Sequence, residues 1–218
     1  MTYCLDNLNF IFKTARQITN QGPVSPVMSK PKLFIPGPVD VAPETYAAMA
    51  GPAIGHRGKD FEELYSSIQP GIKQVVGTTR PVFFSTSSAW GIMEGSIRNL
   101  VKKKVLNLCC GAFSDKWYSV AQSCGKEAEK IQVEWGQPID PSVVRERLST
   151  GGFDTVTLVH NETSTGVLNP LKEISDVIKS FDDVLLVVDT VSSLSAMPIN
   201  FDELGIDVLL AGVQKAIA

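Results

Sequence analysis

From Phe34 onward the chain alternates between short apolar runs and longer stretches whose apolar residues recur at helical spacing. "PVFF" (Pro81–Phe84) reads as a short strand, followed by a helix of about three turns from Trp90. "KKKVLNLCCGAF" reads as a strand stopped by Gly111, and "DKWYSVAQSCGKEA" as a helix with Trp117, Val120 and Ala121 on one side. "EKIQVEW" alternates as a strand. "DPSVVRERLSTGGF" begins a helix with Asp140 as N-cap and Pro141 at its first position, and Gly151 ends it. "DTVTLVH" predicts a strand, "NPLKEISDVIKSF" a helix, "DVLLVVD" a fully apolar strand, and "GIDVLLAG" a last strand.

Helices alternating with nearly continuous apolar strands predict an α/β fold, with a mainly parallel sheet covered on both faces. In such sheets ligands sit beyond the carboxyl ends of the strands, so the residues after each apolar run carry the functional expectation. Upstream, "QGPVSPVMSKPK" holds Pro23, Pro26 and Pro31 and reads as linker; residues 1–29 are expected to be an extension, with the domain at 30–218.

Composition narrows the function classes. A chain of 218 residues that is 44% hydrophobic can bury one sizeable core. A net charge of -3 with 20% charged residues gives no electrostatic argument for nucleic acid or an anionic membrane. There is no apolar run of about 18 residues to span a bilayer. Cys4, Cys109, Cys110 and Cys124 form no C-x-x-C pair and read as reduced and mostly buried, which points to a cytoplasmic protein without a metal site. Lys13 and Arg16 outnumber the acids of the first 27 residues, which leaves organelle targeting open.

Four segments at strand ends carry candidate chemistry. "STSSAWG" follows "PVFF" with hydroxyls at the start of a helix, where free N–H groups and the dipole suit a phosphate; a plain serine N-cap explains it equally. Asp189 closes "VLLVVD", where a buried carboxylate needs a partner; a surface-facing or helix-capping aspartate is the alternative. "NETSTGV" is rich in donors and acceptors, or an ordinary connection. Lys215 follows the last strand, where its amine can form a Schiff base with an aldehyde; a snorkelling surface lysine is the alternative. Phosphate, ring nitrogen, phenolic oxygen and aldehyde together describe pyridoxal 5'-phosphate. Asp189 keeps the pyridine nitrogen protonated so that the ring acts as an electron sink, and Lys215, once displaced, moves a proton between Cα and the cofactor carbon.

"IPGPVDV", "GHRGKDFEELY", "SSAWGIMEG", "HNETSTGVLNPL" and "LLVVDTVSSLSAMPINFDELGIDVLLAGVQKAIA" resemble the class V aminotransferases of pyridoxal-phosphate fold type I, in particular the alanine–glyoxylate and serine–glyoxylate (serine–pyruvate) group. The resemblance runs from about Leu33 to the last residue, so 30–218 is expected to be the cofactor-binding large domain. It implies that Lys215 is the Schiff-base lysine, Gln214 a phosphate contact, Asp189 the partner of the pyridine nitrogen and Thr163 the donor to the phenolic oxygen. Ser88, Ala89 and Trp90 match the phosphate turn; Ala89 and Trp90 depart from its usual residues, which backbone donors tolerate but which puts a side-chain contact from position 90 in doubt. Phe113 falls where the family stacks an aromatic on the cofactor ring, the alternative being a core phenylalanine. Gly37 falls near the active-site entrance and is expected to let backbone approach the substrate. His56 and Arg57 receive no catalytic role. The resemblance also implies amino-acid and 2-oxo-acid substrates and a homodimer.

Family members continue past the lysine into a smaller domain that grips the substrate carboxylate, so the chain is expected to be an N-terminal fragment that binds cofactor poorly on its own. Transamination from alanine or serine to glyoxylate or pyruvate is the favoured function. Cysteine desulfurases share the "N-E-x-x-x-G" loop and remain an alternative, as does a non-catalytic phosphate binder on the same fold.

Overall fold

The computed structural model describes residues 32–217, so the expected extension at 1–29 and Cys4 lie outside the described residues. Along the chain run α1 (Pro43–Met49), α2 (Lys59–Val76), α3 (Ala89–Leu100), β1 (Lys104–Cys109), α4 (Ala112–Ser123), β2 (Glu127–Gln132), α5 (Pro141–Ser149) and β3 (Thr155–Val159). There follow β4 (Asn161–Glu162), β5 (Val167–Leu168), α6 (Leu171–Ile178), β6 (Leu185–Asp189), α7 (Phe201–Leu204) and β7 (Val208–Leu210). Five strands form one sheet in the order β2-β1-β3-β6-β7, every pair parallel. The strands β4 and β5 make a separate antiparallel pair.

The apolar strands are apolar on both faces because both faces are covered. Side chains alternate across a strand. Leu106, Leu108, Val156, Leu158, Leu186 and Val188 therefore join one core with Val144 and Leu148 of α5 and Ile174 and Val177 of α6. Val105, Val159, Val187 and Leu210 join the other with Met93 and Ile97 of α3 and Trp117 and Ala121 of α4. The expected α/β architecture is thus the observed one. Capping works as the sequence predicts at α5, where the Ser142 N–H donates to Asp140 Oδ1 at 2.8 Å and Pro141 stands at the start. Cys109 and Cys110 are buried and Cys124 is half-buried, all as thiols, and burial pushes Cys109 up to about 12.

Two expectations fail. Pro81–Phe84 is no strand: among the described residues no strand lies beside it, and a strand exists only through a neighbour's ladder. The Val82 backbone instead bonds to side chains of α2. Its N–H donates to Gln69 Oε1 at 3.2 Å, and its carbonyl accepts from Gln69 Nε2 at 2.8 Å and from the Tyr65 hydroxyl at 3.0 Å. Phe83 is accordingly 83% exposed, where the strand reading would bury it. The second failure is α2 itself, 18 residues that the reading above passes over, although Phe61, Leu64, Tyr65, Ile68 and Ile72 repeat at helical spacing and Gly77, at φ 68, closes it in the left-handed form that glycine favours. The "EKIQVEW" strand also begins earlier and stops at Gln132. Among the described residues no helix is long and apolar enough to cross a membrane, and no group of three or more His, Cys, Asp or Glu is placed to hold a metal ion.

Candidate active site

The strand register brings the segments that follow β3, β6 and β7 to one end of the sheet. Val159, Asp189 and Leu210 are level across β3, β6 and β7, so the residues that follow them share the carboxyl edge. Asp189 is the last residue of β6 and only 6% exposed. Its Oδ1 accepts from the Val191 N–H at 2.7 Å, a local turn of the kind that aspartate favours. The carboxylate is thus buried, not surface-facing, and it caps its own turn. Burial pushes it up to about 6, partly countered by the Val191 N–H; the nearby Glu162 charge pushes it further up, and the Lys215 ammonium pulls it down. The end of β6 that carries Asp189 pairs with the end of β7, from which the chain leads into the Lys215 turn.

Lys215 stands in the turn after β7 and is half-buried. The backbone of the segment 37–39 lies against it. A Cβ on Gly37 would sit 3.1 Å from Lys215 Cε and 3.3 Å from Cδ, and Gly37 holds φ at 130°, a conformation that side chains other than glycine rarely adopt. The Val39 N–H donates to the Gln214 carbonyl at 3.1 Å. At Gly37 the close neighbour in the structure is the lysine stem. Gln214 is exposed in the same turn.

At the start of α3, Ser88 takes the N-cap position, but its side chain makes no capping bond. The plain serine cap thus loses its basis, and the first N–H groups of α3 keep the anion-binding character of a helix start. Ala89 and Trp90 form the first turn and are half-buried. The Trp90 ring packs against the core that holds Met93 and Trp117, with Lys116 Nζ 4.3 Å from its centroid. Position 90 therefore offers its backbone. Phe113, in the first turn of α4, is 38% exposed and thus not a core phenylalanine. Thr163 is half-buried in the turn between β4 and β5. His56 and Arg57 are exposed.

The sequence reading missed Glu162. It is 0% exposed and accepts from Ser114 N–H (3.0 Å), Ser114 Oγ (3.0 Å), Ser164 Oγ (2.7 Å), Phe113 N–H (3.3 Å) and Ser164 N–H (3.3 Å). His160, also missed, is buried beside it in sequence. Its Nδ1 lies 3.0 Å from Ser193 Oγ, and burial lowers its pKa. An apolar run followed by His-Asn-Glu was the available signal for both: charge and imidazole directly after a buried strand.

A buried acid, a neighbouring amine, an accessible aromatic face, a hydroxyl and an uncapped helix start make a set that fits a flat, protonatable ring with an anionic tail. At 42% identity over 192 residues the chain is similar to an uncharacterized aminotransferase of Methanocaldococcus jannaschii, covering 87% of this chain and 50% of that protein. It is 33% identical over 192 residues to serine–glyoxylate aminotransferase of Methylorubrum extorquens, covering 85% and 48%. Among solved structures, alanine–glyoxylate aminotransferase from Nostoc sp. superposes with a TM-score of 0.80 at 30% identity, over 89% of this chain and 53% of that one. The chain thus spans about half the length of the relatives it matches. Residues 40–218 match the family described as aminotransferase class-V, and the chain belongs to that family.

Proposed function

We propose that the protein is a pyridoxal-phosphate-dependent aminotransferase that moves an amino group from a small amino acid, alanine or serine, to a 2-oxo acid such as glyoxylate or pyruvate. The observation that carries this reading is the buried Asp189 at the end of β6, level with Leu210, after which β7 leads into the turn that holds Lys215. When bound, pyridoxal phosphate supplies an aldehyde that takes up the amino group and a ring that accepts the electron pair left at the substrate's Cα. Asp189 holds a proton on the ring nitrogen, and a cationic ring offsets the cost of burying that carboxylate. Lys215 anchors the aldehyde through its amine. With its amine free, Lys215 would move the proton at the substrate's Cα. Thr163 donates to the phenolic oxygen, and the α3 N–H groups at Ala89 and Trp90, with the Ser88 hydroxyl and Gln214, hold the phosphate. Phe113 covers one face of the ring. The glyoxylate acceptor is supported by the glyoxylate aminotransferases among the relatives. A second copy of the chain as partner is supported by Phe61, Leu64 and Ile68, all exposed on α2.

The test is direct. The purified chain is mixed with pyridoxal phosphate, reduced with borohydride and mapped by mass spectrometry. A separate, unreduced sample with the cofactor is given alanine plus glyoxylate, and another is given cysteine. The expected result is mass added at Lys215 at high cofactor concentration and slow formation of pyruvate and glycine. Addition elsewhere, equal addition in Lys215→Ala, or sulfide release in place of amino transfer would sink the proposal.

A further inference from the structure

Glu162 has no role in the scheme above, and its surroundings are too costly to be incidental. A carboxylate with 0% exposure loses its hydration, several kcal/mol by the usual scale, and must recover it inside the protein. Among the described residues it joins no salt bridge. Its compensation is five hydrogen bonds and the positive start of α4.

Three of those bonds, from Phe113 and Ser114, connect the first turn of α4 to the end of β4, 48 and 49 residues away in sequence, and the two from Ser164 stay within the β4–β5 segment. The Ala112 N–H adds a bond to Ser164 Oγ at 2.9 Å. Gly111 completes the joint. A Cβ there would lie 2.4 Å from Glu162 Cγ and 2.6 Å from Ser164 Oγ, so only glycine lets the segments close. Ser114 takes the shorter bonds, both at 3.0 Å; beside it the Phe113 N–H donates to Glu162 at 3.3 Å, and Thr163 is the next residue after Glu162 in the chain. On the functional reading above, Phe113 and Thr163 are the ring-stacking and phenol-binding residues. Glu162 is also near enough to Asp189 for its charge to act there.

We propose that Glu162 is a positioning residue of the ring site: a buried carboxylate clamp that sets the Phe113 ring and the Thr163 hydroxyl at a fixed spacing across the ends of β1 and β3. The inference rests on the proposed cofactor reading. It differs from a general packing role in one respect: the effect of Glu162 passes through Phe113.

A double-mutant cycle reads that coupling. The apparent dissociation constant of the full chain for pyridoxal phosphate, from the cofactor's visible absorbance, is measured for wild type, Glu162→Gln, Phe113→Ala and the double variant, together with the dichroism of the same band. Glu162→Gln is expected to weaken binding about tenfold in the native background and less than twofold once Phe113 is removed, with loss of the dichroic signal. Equal fold-changes in both backgrounds overturn the proposal. Should Glu162→Gln fail to fold, Ser164→Ala replaces it in the cycle, because it removes the 2.7 Å bond to Glu162 and leaves the charge in place. Hydrogen exchange without cofactor gives a readout independent of loading: the Phe113 and Ser114 amides lose protection in the variant while the β6 amides keep theirs. Unchanged protection at 113 and 114 also overturns the clamp. A wild-type chain that takes up no pyridoxal phosphate overturns the functional reading and the positioning role with it; uptake with an additive cycle overturns the positioning role alone.

Discussion

Replacing Asp189 with Asn should make the protein more stable at neutral and alkaline pH while removing the acid proposed to bind the ring nitrogen. Burial pushes the carboxyl from its ordinary 3.8 up to about 6 in the folded protein. The folded state then holds the proton more tightly than the unfolded chain between those two values. Stability from this group is therefore full below the ordinary value, falls as pH rises from about 4 to about 6, and is lost above that. At 1.36 kcal/mol per pH unit the penalty amounts to about 3 kcal/mol at pH 8, and the residue's near-complete burial leaves little solvent screening to reduce it. Asparagine carries no charge to desolvate, and its side-chain oxygen can still accept from the Val191 N–H. Urea unfolding of the full chain at pH 4, 6 and 8, followed by tryptophan fluorescence, measures the difference between variant and wild type. Comparison at each pH cancels the acids that respond oppositely, such as Asp140, held low by its bonds to Ser142. The expected gain is about 3 kcal/mol at pH 8, shrinking to near zero at pH 4. An Asn variant less stable at pH 8, or a difference that ignores pH, refutes the account of Asp189 as a destabilising buried acid.

Three further outcomes follow from the geometry. Gly37→Ala places a methyl 3.1 Å from Lys215 Cε at a φ of 130°, and should cost about 1–3 kcal/mol in urea unfolding and slow the borohydride-trapped addition of pyridoxal phosphate at Lys215; unchanged trapping counts against the contact. Gly111→Ala drives a methyl into Glu162 and Ser164 and should lower the thermal midpoint by at least about 4 °C or abolish folding, as for a loss of at least about 2 kcal/mol. Asp140→Ala removes the cap of α5 and should cost about 1 kcal/mol with no effect on cofactor uptake, read by denaturation and absorbance side by side.

Most of the sheet was legible because its signals are local. Leu185–Asp189 and Thr155–Val159 are short apolar runs, and Asp140-Pro141 announces a helix start within two residues. Pro81–Phe84 shows the limit of that logic. Its composition is that of a strand, but pairing depends on what lies alongside, and here Gln69 and Tyr65 take the Val82 backbone groups. The long helix Lys59–Val76 was passed over although its apolar spacing was visible; Pro70 within it, a residue that usually ends helices, obscures the pattern. At the site, Asp189 and Lys215 stood out as charges directly after apolar strands. Glu162 did not, because its significance lies in donors from Phe113 and Ser114, far away in sequence. The Trp90 packing beneath Lys116 was equally out of reach, since it requires knowing how α3 and α4 lie together.

The bond between the Val39 N–H and the Gln214 carbonyl joins positions 175 apart in the chain, with Gly37 resting on the lysine stem beside it. Access to that amine is thereby tied to a distant stretch of backbone. Any fluctuation that lifts residues 37–39 bares Lys215 to small aldehydes in bulk water while leaving the sheet whole. The labelling rate of this one amine is thus a gauge of how tightly the two segments are docked, and it reads a local opening that global unfolding would never report.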